Sequence, residues 1–470
     1  MKKRLTMLAV FVSLLSGCMV GPKYRRPNVE PPTAFRGSSD KATSPDPVSL
    51  ADLKWFEVFK DEQLQELIQT ALVNNYDLRR AVARVSAARA NLGITRSDQF
   101  PNITAGADMT TLRNSGSGQV ALPGGFSRDR TFGTVLLNLL SFEVDIWGRL
   151  RRANEAARAS LLATEEDRKA VMTTIVGDVS AAYFNLLELD TELKIARETL
   201  ATRQESLNLI RSRQQGGVAT MLDVRQAEQL VYGAAQTIPD IERLIEQTEN
   251  QINLLLGMDP GPVARGRSLS EQEQPPSAPP GLPSSLLERR PDIRAAELNL
   301  VAATANIGVA KAAYFPQISL TGFLGGQSSQ LSNLFSGAGG AWNFAPQVTL
   351  PIFNAGRVKS GVRFTEAQRH LASTQYQQAI RTGFREVSDA LIEYRKVKEI
   401  RAQQEELVTT LQDRSRLAYL RYRGGVDTQL NALDADRDLF SAELSLAQTK
   451  RNELLALVLL YKALGGGWRQ

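Results

Sequence analysis

The chain has 470 residues, a formal net charge of +6, a single cysteine and a single histidine. Basic and acidic residues are interspersed along it, and three of the positive charges lie at Lys2, Lys3 and Arg4, so the charge pattern does not favour nucleic acid as a partner. One cysteine excludes an internal disulfide and a metal site built from several thiolates.

The N-terminus is typical of a processing segment. A basic start precedes an apolar stretch, residues 5–15, that is too short to span a bilayer as a helix. Leu15-Ser16-Gly17-Cys18 has the form of a bacterial lipobox, the alternative being an ordinary secretory signal beside a buried cysteine. We therefore expect residues 1–17 to be a signal peptide and Cys18 to carry a covalent lipid. The next residue, Met19, is not the aspartate of an inner-membrane retention signal, which favours the outer membrane of a Gram-negative cell.

Residues 18–50 follow as a proline-rich and polar segment. We expect an extended, lipidated tether with no core of its own. No run of 18 or more apolar residues follows the signal, so we expect any membrane insertion of the body to use strands.

The body of the chain is duplicated. Residues 77–103 and 292–318, which are 215 residues apart, are identical at 11 of 27 positions, including Phe100-Pro101 and Phe315-Pro316. A second match at an offset of 208 pairs Gly216-Gly217 with Gly424-Gly425. Such a long match predicts two copies of one structural unit.

Each copy has the same order of predicted elements. In the first, a helix ends at Phe100-Pro101, and alternating apolar residues over 102–147 predict a strand hairpin. Long helices then cover 149–256 and reverse at Gly216-Gly217. The second copy repeats this order, with a hairpin over 317–353 and long helices over 358–464.

The element order sets the predicted domain organisation. The repeats span residues 77–256 and 292–464, residues 51–76 and 257–291 form equatorial or linker regions, and 465–470 form a tail. Within each copy, two shorter helices have the summed length of the long one, which predicts that they stack end to end beside it.

The strands distinguish two kinds of architecture. A soluble β-sandwich layer is the alternative, but the strands lack a continuous apolar run and carry aromatic residues near their ends, which favours a lipid-facing barrel wall. Four strands cannot close a barrel, and an open edge in lipid is costly, so the chain must oligomerise to insert. The predicted fold class is therefore mainly α with a membrane β-barrel, internally duplicated, with long antiparallel helical hairpins.

Four stretches, in order, resemble the TolC/OprM outer-membrane factor family, and its lipoprotein branch in particular. They begin at Cys18 (CMVGPKY), Phe142 (FEVDIWGR), Arg289 (RRPDIR) and Tyr461 (YKALGGGW). The resemblance implies a homotrimer whose four strands per protomer complete a twelve-stranded β-barrel above an α-barrel. It implies a passive outer-membrane duct for drugs and other small molecules, with a periplasmic membrane-fusion adaptor and an inner-membrane RND-type transporter as partners.

Two alternatives stay open at this point. A type I protein-secretion duct would share the fold, although the lipobox favours drug efflux. A periplasmic coiled-coil scaffold lipoprotein would share the helices but would not need the amphipathic hairpins.

The Gly-Gly turns are the best candidates for a functional tip, because glycine supplies the positive φ that a tight helical hairpin needs. The resemblance implies that the tip docks the adaptor and that a gate lies beside it. The residues of the docking tip are Arg213, Gly216, Gly217, Val218, Ala219, Gly424, Gly425, Val426, Asp427 and Thr428. The residues of the gate are Tyr422, Leu430, Asp434 and Arg437. Alternatively, the glycines are only turns, and the gate residues are a solvated helix face with incidental ion pairs.

An enzyme has little support in the sequence. His370 lies among polar residues within a predicted helix, and is more typical of a surface residue than of a ligand or base. Glycine-rich segments lie between strands without a following helix, which does not favour phosphate binding. We expect no catalytic residues, no metal and no cofactor apart from the lipid on Cys18.

Overall fold

The computed structural model describes residues 19–32, 35–36, 50, 53–115, 128–272 and 283–466. The lipidation site predicted at Cys18 lies outside the described residues. The α-helices are α1 (Trp55–Val58), α2 (Glu62–Asn74), α3 (Tyr76–Ser97), α4 (Arg149–Gln215), α5 (Met221–Leu256), α6 (Pro283–Arg289), α7 (Pro291–Ala312), α8 (Arg357–Arg423) and α9 (Gln429–Ala463). The strands are β1 (Ile103–Arg113), β2 (Asp129–Glu143), β3 (Gln317–Ser328) and β4 (Gly340–Thr349).

The duplication is visible in the lengths of the helices. The long helices α4 and α8 each have 67 residues, and α3 and α7 each have 22. The returning helices α5 and α9 have 36 and 35 residues. The internal repeat predicted from the sequence is thus a repeat of helix–hairpin–helix–helix.

The strands form one antiparallel sheet in the order β1-β2-β3-β4. The junction between the two copies is β2 with β3, where Leu137 lies opposite Leu324. One irregularity interrupts this junction, because the register shifts between Leu139 and Phe142. Strands β1 and β4 are the two edges, and neither has a second partner strand in the part of the chain that is described.

The sheet has one apolar face, and that face is exposed. Met109, Leu324, Trp342 and Phe344 are all well exposed. A polar face lies opposite, where the Thr134 hydroxyl bonds the Asp108 carboxylate. A soluble sandwich would cover the apolar face with a second layer, whereas a wall in lipid leaves it outward.

The chain divides into two compact units. One comprises residues 1–28, 85–164 and 296–376 and contains the sheet, and the other comprises residues 29–84, 165–295 and 377–470. In the second unit the ends of the shorter helices meet, as the arithmetic of their lengths predicted. The Asn75 amide donates to the Leu255 carbonyl (2.8 Å), and the Arg290 guanidinium donates to the Ala463 carbonyl (3.0 Å).

The second unit contains most of the largest fully buried side chains. Leu64, Ile68, Tyr183 and Leu186 are almost completely buried there. Asp61 is also buried, and its carboxylate accepts from the Tyr183 hydroxyl and from backbone amides at the start of α2.

Helix α4 is apolar enough over one 18-residue window, with a mean hydropathy of 1.3, to cross a membrane by length and composition. Of that window, 67% is buried inside the fold, as in a core helix. It is the one helix among the described residues that meets this criterion.

Candidate functional site

The first hairpin tip reverses within five residues. Gly217 has φ +76°, and the Val218 amide donates to the Arg213 carbonyl (2.8 Å), which closes the last turn of α4. Thr220 then caps α5, since its hydroxyl accepts from the Asp223 amide (3.2 Å) while the Asp223 carboxylate accepts from the Thr220 amide (2.7 Å). This tip is therefore held by its own residues.

The second tip has the same backbone and a different cap. Gly425 has φ +71°, and the Val426 amide donates to the Arg421 carbonyl (3.1 Å). Thr428 makes no side-chain cap, and the Asp427 carboxylate instead accepts from the Thr428 amide (2.8 Å) and from the Asn431 amide group (2.6 Å). Arg421 also donates to Asp427 (3.0 Å), and this bond is the main cause that lowers the pKa of the Asp427 carboxyl.

Both tips present apolar side chains to solvent. Val218 is 71% exposed and Val426 is 67% exposed. Both lie in the two turns predicted to dock an adaptor, and Met221 and Leu222 add further exposed apolar surface beside the first turn. A contiguous exposed apolar patch with polar residues around it is characteristic of a protein-binding surface.

The residues predicted to form a gate lie along one stretch of the second hairpin. Arg213 of the first tip lies over the ring of Tyr422, 4.8 Å from its centroid. Leu430 is about half exposed, at 48%. One turn further along α9, Asp434 forms an ion pair with Arg437 (3.2 Å), the pairing expected from their spacing.

A buried link between the two hairpins was not found from the sequence. Arg203 of α4 donates to the Asp436 carboxylate of α9 (2.7 Å) and to the Leu230 carbonyl of α5 (3.1 Å). Its guanidinium also lies 4.9 Å from the centroid of the Phe440 ring. Both charged side chains are buried, so the pair is shielded from water and each partner depends on the other.

Two further contacts join the copies. Near the tips, the buried Gln429 side chain donates to the Asp223 carbonyl (3.1 Å). Further from the tips along α4, the Arg451 guanidinium of α9 donates to the buried Glu188 carboxylate (3.4 Å). Burial, together with the neighbouring Glu192 carboxyl, raises the pKa of Glu188 to about 8. The raised pKa favours the neutral, protonated form of this buried carboxyl.

Within the described residues no group of three or more His, Cys, Asp or Glu side chains is arranged to hold a metal ion. His370 is exposed on α8, where the sequence places it among polar neighbours.

The comparisons with known proteins all match efflux proteins. The sequence model of the outer membrane efflux protein family matches residues 67–258 and 282–466. A probable efflux pump outer membrane protein of Pseudomonas putida, TtgC, is 40% identical over 477 aligned residues, which cover 100% of this chain and 96% of the relative. The cation efflux system protein CusC of Escherichia coli is 36% identical, with 97% of each chain covered.

Solved structures agree with the sequence relatives. The open-state crystal structure of the MtrE outer membrane channel from Neisseria gonorrhoeae superposes with a TM-score of 0.85 at 33% identity. The match covers 96% of this chain and 99% of that one.

Proposed function

The chain belongs to the outer membrane efflux protein family, and from that premise we propose how its two hairpin tips form the inner, gated end of an efflux duct. It is an outer-membrane channel of an efflux pump and not an enzyme. Channels of this kind are trimers that work with an adaptor and an inner-membrane transporter. The observation that carries the assignment is the match of the family to both repeats, residues 67–258 and 282–466.

The tips are the proposed docking surface for a periplasmic membrane-fusion adaptor, which links the duct to an RND-type transporter. Support comes from the exposure of Val218 and Val426 at turns whose backbones are nearly the same. Six such turns in a trimer would present a ring of similar apolar sites. Polar atoms of Asp427 are already engaged within its own turn, so the adaptor would meet mainly the valines.

The proposed gate consists of Tyr422, Leu430, Asp434 and Arg437 of the second hairpin. In three copies around one axis, Leu430 would form an apolar ring and Asp434 an acidic one, each acidic group paired by Arg437. Opening would move the second hairpin away from the first, and the contacts that resist this movement are Arg213 on Tyr422 and the buried Arg203–Asp436 pair.

Single-channel recording tests the gate. We expect Asp434→Ala with Arg437→Ala to raise the conductance and shorten the closed-state lifetime in planar bilayers, because the acidic ring and its counter-charges are lost. The matched control is Asp413→Ala with Arg416→Ala, an exposed ion pair of the same i,i+3 spacing on α8 (2.6 Å). Unchanged conductance and lifetime in the first variant, or equal changes in both, would remove these residues from the gate.

A lipid on Cys18 is the proposed second attachment to the membrane. The supporting geometry begins at the next residue, because Met19 packs against Gly148, and the Val20 amide donates to the Trp147 carbonyl (3.1 Å) just after β2. A lipid at residue 18 would thus start near the lower end of the strands. Cys18→Ser should abolish labelling by a radioactive fatty acid, whereas retained labelling would show that the lipid lies elsewhere.

The proposed cargo is drugs and other small organic molecules, selected by the transporter. The relative TtgC supports efflux rather than export of a protein. A deletion strain should therefore become sensitive to hydrophobic antibiotics and recover with the gene. If it lost a secreted protein and kept its resistance, a type I secretion duct would be the better description.

A further inference from the structure

The first described residues of the chain lie in a groove between the two copies. Residues 19–32 form neither helix nor strand. Residues 19–26, here called the strap, nevertheless bind α4 of the first copy and α7 of the second. At the start of the strap, Met19 packs against Gly148, and the Val20 amide donates to the Trp147 carbonyl (3.1 Å). The strap therefore begins beside the segment that joins β2 to α4.

A buried arginine of α4 binds the backbone of the strap. The Arg152 guanidinium donates to the Val20 carbonyl (3.2 Å) and to the Gly21 carbonyl (3.3 Å). Its third nitrogen donates to the Glu155 carboxylate (2.8 Å), and the Arg152 side chain is only 4% exposed. If the strap left, two nitrogens of this buried guanidinium would lose their acceptors, which is costly. The strap thus completes the hydrogen bonding of Arg152.

Two glycines let the strap approach α7 closely. Gly21 has φ +102°, and a Cβ atom there would lie 2.5 Å from the Cα atom of Gly308. A Cβ atom on Gly308 would lie 2.7 Å from the Val20 carbonyl oxygen and 2.8 Å from Cγ of Arg152. Gly93 of α3 is the repeat equivalent of Gly308, and among the described residues no neighbouring atom lies within 4 Å of a Cβ built on it. Within the protomer, only position 308 needs glycine for the close contact.

The other end of the strap binds a carboxylate of α7. The Tyr24 hydroxyl donates to Glu297 (2.9 Å), and the Arg26 guanidinium donates to the other oxygen of the same carboxylate (2.7 Å). Burial and the hydrogen bond to Glu297 raise the pKa of the Tyr24 hydroxyl. Gly308 and Glu297 are 11 residues apart, about 16 Å along the helix, so the strap follows α7 over that distance. The repeat equivalent of Glu297 is Val82, whose side chain cannot accept a hydrogen bond.

We propose that the groove between α4 and α7 is a binding site for the chain's own strap, and that Gly308 and Glu297 are the residues that position the strap in it. The site takes Arg152 from the first copy and Gly308 and Glu297 from the second, so it is complete only when the two copies have packed together. The inference deepens the proposed lipid attachment, and it rests on that proposal only for one consequence. Folding of the protomer brings a lipid on Cys18 to the end of the strands.

The strap carries its own probe of release. The side chains of Lys23 and Arg25 are exposed, whereas Tyr24 between them is half-buried against α7. Trypsin cuts after lysine and arginine, but it needs several residues of free backbone around the bond. When opening and closing are fast relative to cleavage, the rate of cutting follows the fraction of molecules whose segment is open. Cleavage after Lys23 and Arg25 therefore measures how often the strap leaves the groove.

Limited trypsin digestion of the full-length protein in detergent, with the fragments identified by mass, tests the site. We expect Gly308→Ala to speed cleavage after Lys23 and Arg25 by about tenfold or more, because the added methyl group displaces the strap and its hydrogen bonds to Arg152 are lost. Gly93→Ala is the matched control, since it adds the same methyl group at the repeat equivalent, and it should leave the rate unchanged.

A second variant tests the other end without adding any atoms. Glu297→Ala removes the acceptor of both Tyr24 and Arg26, and we expect it also to speed cleavage of the strap. Its control is Glu366→Ala, because Glu366 of α8 pairs with Lys311 of α7 (3.2 Å) and is likewise an acid that binds a basic residue. The control should be cut at the rate of the unaltered protein.

Three results would overturn the inference. The first is an unaltered protein whose strap is cut as fast as in the denatured chain, and the second is a pair of strap variants that are cut no faster than their controls. Faster cleavage in only one of the two variants would overturn the positioning role of the other residue. Native gels and fatty-acid labelling of the same samples report the trimer and the lipid. A protein that lacks either of these but keeps its strap protected would count against the proposed function and leave the strap site standing.

Discussion

Glu228 and Asp436 occupy the same position in the two repeats, 208 residues apart, and they hold different parts of the protein together. The Glu228 carboxylate accepts from Arg211 (2.8 Å) and Arg225 (2.6 Å), both in its own hairpin. The Asp436 carboxylate accepts from Arg203, which belongs to the other copy. One acid stabilises a single hairpin, whereas its equivalent ties two hairpins together.

The same contrast appears higher along the long helices. Glu188 is buried against Arg451 of the other copy, whereas its repeat equivalent Lys396 is exposed and pairs with Glu399 of its own helix. The two polar links between the copies are thus not repeated at the equivalent positions, where Glu228 and Lys396 pair within their own copy. This asymmetry, in which the second hairpin is tied to the first through Asp436, is consistent with the gate proposed at the second hairpin.

The largest effect on stability should come from removing the buried ion pair of Arg203 with Asp436. Asp436→Ala leaves Arg203 buried without its carboxylate, and we expect a loss of about 3–5 kcal/mol, as for other buried pairs that lose one partner. The measurement is the apparent Tm of the trimer in detergent, with single-channel recording as a second readout. We expect a lower Tm and more frequent opening.

Glu228→Ala is the matched control, because it removes the equivalent carboxylate. Its partners Arg211 and Arg225 extend into solvent, so they stay hydrated when the acid is lost, and the change in Tm should be much smaller. Equal losses in the two variants would mean that the repeat uses this acid in the same way twice.

The sequence predicted the repeated parts of the molecule well and the link between them poorly. Phe-Pro and Gly-Gly-Val mark corners, where the backbone itself dictates the residue type, so their recurrence located the hairpins and the tips. Arg203 and Asp436 are 233 residues apart, and helical periodicity reports which face a residue occupies, not which distant residue meets it. Asp434 and Arg437 could be paired because they lie three residues apart on one helix.

An intermediate effect on Tm should come from changing Glu188, the buried acid that contacts Arg451. Since the pKa of Glu188 is raised to about 8, the folded protein holds a proton that the unfolded chain loses near pH 4.5, so stability falls as pH rises through this window. Glu188→Gln keeps a neutral side chain at every pH. We expect its Tm to depend less on pH between about 5 and 8, and to exceed that of the unaltered protein at the upper end.

Glu242→Gln provides the control for this pH dependence, since Glu242 is an exposed acid that pairs with Arg197. It should leave the slope of Tm against pH unchanged. A Glu188→Gln protein with the slope of the unaltered chain would show that Arg451 keeps the Glu188 carboxyl ionised.

The smallest effect compares the two caps at equivalent threonines. Thr220→Ala removes the hydroxyl that accepts from the Asp223 amide, and we expect a loss of about 1 kcal/mol. Thr428→Ala should cost almost nothing, because Thr428 makes no side-chain cap and Asp427 satisfies the start of α9. The two Tm values, measured side by side in detergent, report the difference directly. Equal losses would mean that the second tip uses a threonine cap after all, and that the ion pair of Asp427 with Arg421 is incidental. A larger loss at Thr220 would assign the stability of the second turn to the Asp427–Arg421 ion pair. The second turn would then be the one of the two turns whose stability depends on salt.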